Sequence, residues 1–298
     1  MTNIAFLILA HHQIDLVYKQ IDLLDSENHY FFIHLDQKYK SNIDPLYCEK
    51  NNVFFTNKRI KVHWGGFSIV LATITLLDES FNHSQNFDYF VLMSGQCLPI
   101  KPKQYIDDFL RKHPGKSFIQ MSSLPDNNLH EDGMGKFHYP AFFDQLSFLR
   151  KDSIRIGKKQ YELKKLLFRG LKRIYILFGL KRKVHFNILC YGSQWWVLHI
   201  SSVKHILESY KTKKTAFNFF KYTWAPDELF FQILLYNSPL KDTLINESLW
   251  YIDWNTNGPP KTLSIQDYGN LENSNVLFAR KFDYWKSAEL INRLSVDL

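Results

Sequence analysis

Ile4-Ala5-Phe6-Leu7-Ile8-Leu9-Ala10 is an uninterrupted apolar run of strand length, and its alternation with the next segments decides the fold. From His12 to Leu24, the apolar positions Ile14, Val17, Ile21 and Leu24 recur at helical spacing. Tyr30–Leu35 is strand-like again and stops at Asp36. The same alternation continues through Val53–Phe55 and Ile60–Val62 as short strands, then Ser68–Phe81 as a helix. Tyr89–Met93 is a strand ending at Ser94-Gly95, and Lys103–Arg111 a helix after Pro99. Alternating strands and helices of this kind predict an α/β fold whose central sheet is mostly parallel and flanked by helices. Ligands in such sheets bind beyond the carboxyl ends of the strands. Asp36, Trp64-Gly65-Gly66 and Ser94-Gly95-Gln96 all fall at such ends.

The second half is less regular. Residues 122–150 carry Pro125, Pro140 and several Asn and Gly, and read as irregular. Gly192-Ser193-Gln194-Trp195-Trp196 leads towards a helix near Ser201–Tyr210. Thr223-Trp224-Ala225-Pro226-Asp227-Glu228 precedes an apolar run, predicting a helix over 227–236 with proline in its first turn. Carboxylates there are favoured by the helix dipole. Two readings of Asp227 and Glu228 stand side by side on this segment alone: capping chemistry, or a general base on a rigid helix start.

Composition narrows the function classes. With 298 residues, 45% hydrophobic and 22% charged, the chain is globular and not disordered. Cys48, Cys97 and Cys190 show no metal-ligand spacing and predict a reducing compartment without a disulfide framework. His11, His12, His34 and His63 are scattered over separate segments, which argues against a metal site. The N-terminus lacks a cationic region ahead of its apolar run and reads as a buried strand, not a signal peptide. No stretch approaches the ~20 apolar residues of a membrane span. These features predict a cytoplasmic protein.

The net charge of +8 is concentrated in one place: residues 150–185 hold thirteen Lys/Arg and two acids. Between the cations, Leu163, Leu166, Leu167, Leu171, Ile174, Leu177 and Phe178 recur at helical spacing. A basic amphipathic helix of this kind suits peripheral contact with an anionic membrane, and equally suits an ordinary solvated surface face. No nucleic-acid motif accompanies the charge.

Eight phrases in order carry a family resemblance: Ile33-His34-Leu35-Asp36, Trp64-Gly65-Gly66-Phe67-Ser68, Leu92–Ile100, Gly192–Trp196, Pro226-Asp227-Glu228, Tyr251-Ile252-Asp253-Trp254, Pro260-Lys261-Thr262-Leu263 and Phe278–Asp283. Together they resemble the core-2/I-branching β-1,6-N-acetylglucosaminyltransferase family (glycosyltransferase family 14), which includes the peptide O-xylosyltransferases. The likeness is greatest to its short bacterial members. It implies one GT-A-type domain over 1–298, with a nucleotide-sugar half to about 120 and an acceptor half from about 121. It further implies inverting transfer from a UDP-sugar to a glycan or lipid-linked oligosaccharide, at the inner face of a bacterial membrane. No metal or other cofactor is expected, and the sequence has no strict Asp-x-Asp.

By that resemblance Glu228 is the catalytic base, while Asp227 supports the helix start. Lys261 and Lys281 bind the diphosphate, although Lys261 stands where the best-known animal members have arginine, keeping the charge without the bidentate fork. Asp36, Trp64, Gly65, Ser94 and Gly95 belong to the nucleotide side. Trp254 contacts the acceptor sugar, with Trp195 and Trp196 shaping the same pocket or buried in the core. Cys97 departs from the polar residue common at its position. Two other readings are a peptide O-xylosyltransferase-like enzyme and a non-catalytic glycan- or membrane-binding protein on the same fold.

Overall fold

The computed structural model describes residues 2–40, 42–142, 144, 158–254 and 259–298. Residues 150–157 of the basic segment and Gly258 lie outside the described residues, as do the side chains of 158–165, 167 and 168. The strands are β1 (Ile4–Ala10), β2 (His29–Leu35), β3 (Val53–Phe55), β4 (Tyr89–Ser94), β5 (Cys97–Pro99), β6 (Ser117–Phe118), β7 (Ser122–Ser123), β8 (Cys190–Tyr191), β9 (Trp196–His199), β10 (Leu244–Ile245), β11 (Trp250–Ile252) and β12 (Phe278–Arg280). Seven form the main sheet in the order β10-β6-β9-β4-β1-β2-β3, with β11-β12-β5 as a smaller sheet. Within the main sheet only the pairings of β9, with β4 and β6, are antiparallel. The expected mostly parallel α/β sheet is present.

β1 reads as wholly apolar because both its faces are covered: every residue from Ile4 to Ala10 is buried. Phe6 stacks on Phe31 of β2, ring centroids 5.4 Å apart. Fully burying a side chain of this size contributes about 1.5–3 kcal/mol, so the central strands dominate the core. A second core under the small sheet gathers Leu98, Leu263, Leu271, Phe282 and Leu290, with Leu16 from the Ile14–Leu24 helix.

The chain runs from β1 outward through β2 and β3, then returns to place β4 on the other side of β1. That reversal makes the carboxyl ends of β1 and β4 a topological switch point, where open α/β sheets form their ligand crevice. His11 and His12 follow β1 there, and Gly95 follows β4, its N–H donating to the Leu9 carbonyl at 2.9 Å. A Cβ on Gly95 would stand 3.1 Å from Val17 and 3.4 Å from Ala10, so only glycine sits there without displacing them.

Two sequence expectations fail for local reasons. Ile60–Val62 is not a strand, because its polar backbone groups are taken elsewhere. Ile60 N–H donates to His34 Nε2 at 2.8 Å, and the Val62 carbonyl accepts from Lys38 Nζ at 2.7 Å. The helix expected over 227–236 is broken. Ala225 is left-handed (φ 47), Pro226–Glu228 is a single 3-10 turn, and Leu229 (φ −128) interrupts before the helix Phe230–Tyr236.

Candidate active site

The register of the small sheet builds the first half of the site. β12 runs antiparallel to β5 with Arg280 opposite Cys97. This carries Arg280 over the end of β4, where its guanidinium donates to Ser94 Oγ. Its charged carbon also lies 4.8 Å from the ring centroid of Trp195, a cation–π contact. Trp195 is itself at the switch point, because β9 pairs antiparallel with β4 and leaves it just ahead of the Leu92–Trp196 pair.

Lys281 follows directly, and Leu263 N–H donates to its carbonyl at 2.9 Å, tying the Lys261 segment to it. Burial first, and then the like charge of Arg280, hold the Lys281 amine below the ordinary lysine range, against the pull of Asp283. His12 is lowered as well, by burial and then by Lys281, with Asp283 opposing, and its Nδ1 is shielded without a partner among the described residues. A half-buried cluster of cations at a sheet's switch point is a surface for a polyanion.

Lys261 is held differently. Its ammonium lies 2.5 Å from Asp267 Oδ1 and 3.7 Å from Asp253 Oδ2. Asp267 also closes a capping box on Ser264, accepting its N–H at 2.8 Å. A diphosphate at Lys261 must compete with these two carboxylates. Trp254 is 64% exposed, next in sequence to Asp253, and free to meet a sugar face.

Asp36 is buried at the end of β2. Its N–H donates to the Ala10 carbonyl at 2.8 Å and its Oδ1 accepts from Lys38 N–H at 2.8 Å. It therefore shapes the loop beside the crevice. Trp196 is the residue that burial removes: it is fully buried, its ring 5.5 Å from that of Phe231. It belongs to the core and offers no face to an acceptor.

The second half of the site is the Ala225–Glu228 turn. Gly65 (φ 75) accepts from Ala225 N–H at 3.0 Å, so the exposed Trp64 stands beside this turn. The Glu228 carbonyl accepts from Gly192 N–H at 2.9 Å. The segment Gly192–Trp195 thus contacts Glu228 at one end and Arg280 at the other. It joins the Glu228 backbone to the Arg280 guanidinium. Gly192 is required there, since a Cβ would overlap the Gln120 carbonyl.

Asp227 and Glu228 have separate environments. Asp227 does not cap the turn; its Oδ1 is enclosed and finds no partner among the described residues. Burial, then the neighbouring Glu228, push its carboxyl up to about 7. The Glu228 side chain is 44% exposed, and its Oε2 accepts from Lys136 Nζ at 3.0 Å. The same ammonium lies 5.0 Å from the Trp224 ring centroid. Of the pair, Asp227 is the enclosed member and Glu228 the accessible one.

Sequence reading missed Lys136, which lies in the irregular stretch after residue 122 with nothing to distinguish it from a surface lysine. It also missed Arg280, whose signal was its place on a strand next to Lys281. Among the described residues no three His, Cys, Asp or Glu side chains gather as a metal-holding group. A cavity of about 300 Å³ between His185, Phe217, Ile233 and Asn237 shares no residue with this cluster.

A family model described as Core-2/I-Branching enzyme matches residues 4–276. Xylosyltransferase 1 of Rattus norvegicus is 22% identical over 318 residues, which cover 98% of this chain and 35% of the relative. Xylosyltransferase 2 of Rattus norvegicus is 24% identical over 324 residues, covering 100% of this chain and 34% of the relative. The chain spans about a third of the length of these curated relatives. Among solved structures, galactosyltransferase LgtC in complex with donor and acceptor sugar analogues has a TM-score of 0.45 and 8% identity, covering 99% of this chain and 96% of that one.

Proposed function

The chain belongs to the core-2/I-branching enzyme family, and on that premise we propose that it is an inverting, metal-independent glycosyltransferase. It moves a sugar (GlcNAc, Glc, Gal or Xyl) from a UDP-sugar to a hydroxyl of a glycan. The observation that supports this reading is the Gly192–Trp195 segment, whose Gly192 N–H bonds the Glu228 main-chain carbonyl and whose Trp195 ring lies against Arg280.

Transfer needs two things from these residues. Glu228 takes the proton of the acceptor hydroxyl as its oxygen bonds to the anomeric carbon. On the opposite face the bond from that carbon to the UDP oxygen breaks, and the electron pair leaves with the diphosphate. Arg280, Lys281 and Lys261 meet the charge that develops there. One carboxylate suffices, because no covalent intermediate forms. Asp227, enclosed and with its carboxyl pushed up to about 7, leaves the base role to the accessible Glu228.

UDP release in the presence of EDTA, for the wild type and Glu228→Gln, tests both claims. Expected are turnover unaffected by EDTA and a loss of at least about a hundredfold in the variant. Full turnover in the variant would remove Glu228 from the chemistry, and abolition by EDTA would remove metal independence.

The relatives named xylosyltransferase support a second reading, transfer of xylose to serine of a peptide. Acceptor profiling with glycans against Gly-Ser peptides decides between the two.

A further inference from the structure

Among the described side chains of the helix Lys158–Leu177, four apolar ones face outward. At 3.6 residues per turn, Leu166, Gly170, Ile174 and Leu177 fall along one stripe, flanked by Arg169, Arg173 and Ile176. Leu166 is 64% exposed, Ile174 50%, Ile176 54% and Leu177 80%. Arg169 and Arg173 are exposed as well. The opposite side holds the half-buried Leu171, Lys172 and Tyr175. There Lys172 pairs with Glu131 and lies 5.0 Å from the Tyr139 ring centroid. Beyond the helix, Phe178 and Leu180 continue the exposed apolar surface.

We propose that this outward face, with Phe178 and Leu180, seats the protein on an anionic lipid surface. Leucine, isoleucine and phenylalanine would enter the boundary between headgroups and acyl chains, while the flanking arginines reach the phosphates. Charge selects this occupant over a second copy of the chain, which would bring Arg169 and Arg173 against like charges. The helix cannot cross the bilayer: among the described residues none is long and apolar enough to do so.

The segment that follows this helix is fastened to the candidate active site through Arg182. Arg182 donates to the Tyr222 carbonyl at 2.9 Å, to Thr223 Oγ1 at 3.1 Å and to the Lys136 carbonyl at 3.4 Å. It also donates to the Phe219 carbonyl, and its guanidinium lies 3.8 Å from the Phe219 ring centroid. Lys136 in turn pairs with Glu228. Resting on the glycosyltransferase reading, the acceptor is therefore a lipid-borne glycan presented at the membrane surface.

Co-sedimentation with phosphatidylcholine vesicles, with and without phosphatidylglycerol, tests the surface. The wild type is expected to pellet with the anionic vesicles and not with the neutral ones. Arg169→Gln/Arg173→Gln should weaken binding ~25-fold, at about fivefold per cation near the headgroups. Leu166→Glu/Ile174→Glu/Leu177→Glu should abolish it. Circular dichroism and UDP binding check that both variants fold. A wild type that stays in solution, variants that pellet unchanged, or light scattering showing a dimer that the glutamates dissociate would each overturn the proposal. UDP release without vesicles keeps the readings separate. Vesicle binding without turnover defeats the glycosyltransferase reading alone, and turnover without vesicle binding defeats the membrane surface alone.

Discussion

Lys136 Nζ stands 3.0 Å from Glu228 Oε2, on a short helix that precedes the carboxylate by some ninety residues of chain. The ammonium fixes where that carboxylate points, and the Trp224 ring 5.0 Å away confines the ammonium in turn. A charge-assisted hydrogen bond contributes about 1.5–3 kcal/mol. If it orients the base, Lys136→Met lowers kcat by about tenfold to a hundredfold. The pair is partly exposed, so stability should change by less than about 1 kcal/mol. Lys136→Arg should restore part of kcat. Urea titration and steady-state kinetics on the same preparations give the answer, and an unchanged kcat makes the lysine a bystander.

Arg280 donates one N–H to Ser94 Oγ and sets its guanidinium over the Trp195 ring. Lysine keeps the charge but has neither the planar fork nor the same stacking. Arg280→Lys should therefore weaken UDP binding about tenfold, and Ser94→Ala by less. Isothermal calorimetry with UDP measures both. Equal affinities for the wild type and Arg280→Lys would mean that bare charge is all the site uses.

The βαβ alternation was legible because burial on both faces of β1 leaves a continuous apolar run that polar exposure would have interrupted. Glu228, Lys261 and Lys281 stood out only through the family resemblance of the phrases that hold them. The breaks were not legible. Leu229 interrupts a helix whose apolar pattern runs straight through it, and periodicity does not register a single φ. That Ile60–Val62 forms no strand depends on His34 and Lys38 reaching its backbone, contacts set by tertiary placement. Trp195 and Trp196 are adjacent and chemically identical. Both are buried, but only Trp195, just ahead of β9, has its ring beside Arg280.

Asp227 gives stability a defined pH dependence. Its carboxyl is raised from 3.8 to about 7 by burial and by Glu228. Between those values the unfolded chain has released a proton that the folded chain keeps. Its contribution is thus fully present below about pH 4 and is lost as pH rises through about 7. Asp227→Asn removes this loss, so the variant should gain stability relative to wild type between about pH 5 and pH 8. Paired urea titrations at both values measure the difference. A constant difference between the two proteins would mean that Asp227 titrates normally.

His12 reports on the arrival of the anion. Burial, then Lys281, hold its imidazole below the ordinary 6.5. A bound diphosphate offsets the positive field and raises it. Binding UDP at about pH 6 should then take up protons, with less uptake at about pH 8, where the imidazole stays neutral with or without UDP. Calorimetry in two buffers of different ionisation enthalpy reads the uptake, and His12→Gln should abolish it. Uptake that persists in the variant would assign the proton to another group.

Gly66 and Asp144 form one structural unit at the start of the Ser68–Phe81 helix. Asp144 Oδ2 accepts from Ser68 N–H at 2.9 Å and Oδ1 from Ser68 Oγ at 2.7 Å. A Cβ on Gly66 would overlap this carboxylate, so Gly66→Ala expels the cap that Asp144 supplies. Losing such a cap costs about 1 kcal/mol. Gly66→Ala and Asp144→Ala should each destabilise by about that amount, and the double variant by little more than either alone. The neighbouring Gly65 carbonyl holds Ala225, at the head of the Glu228 turn. Gly66→Ala should therefore lower kcat as well as stability. Additive losses in the double variant would show that the glycine and the carboxylate act independently.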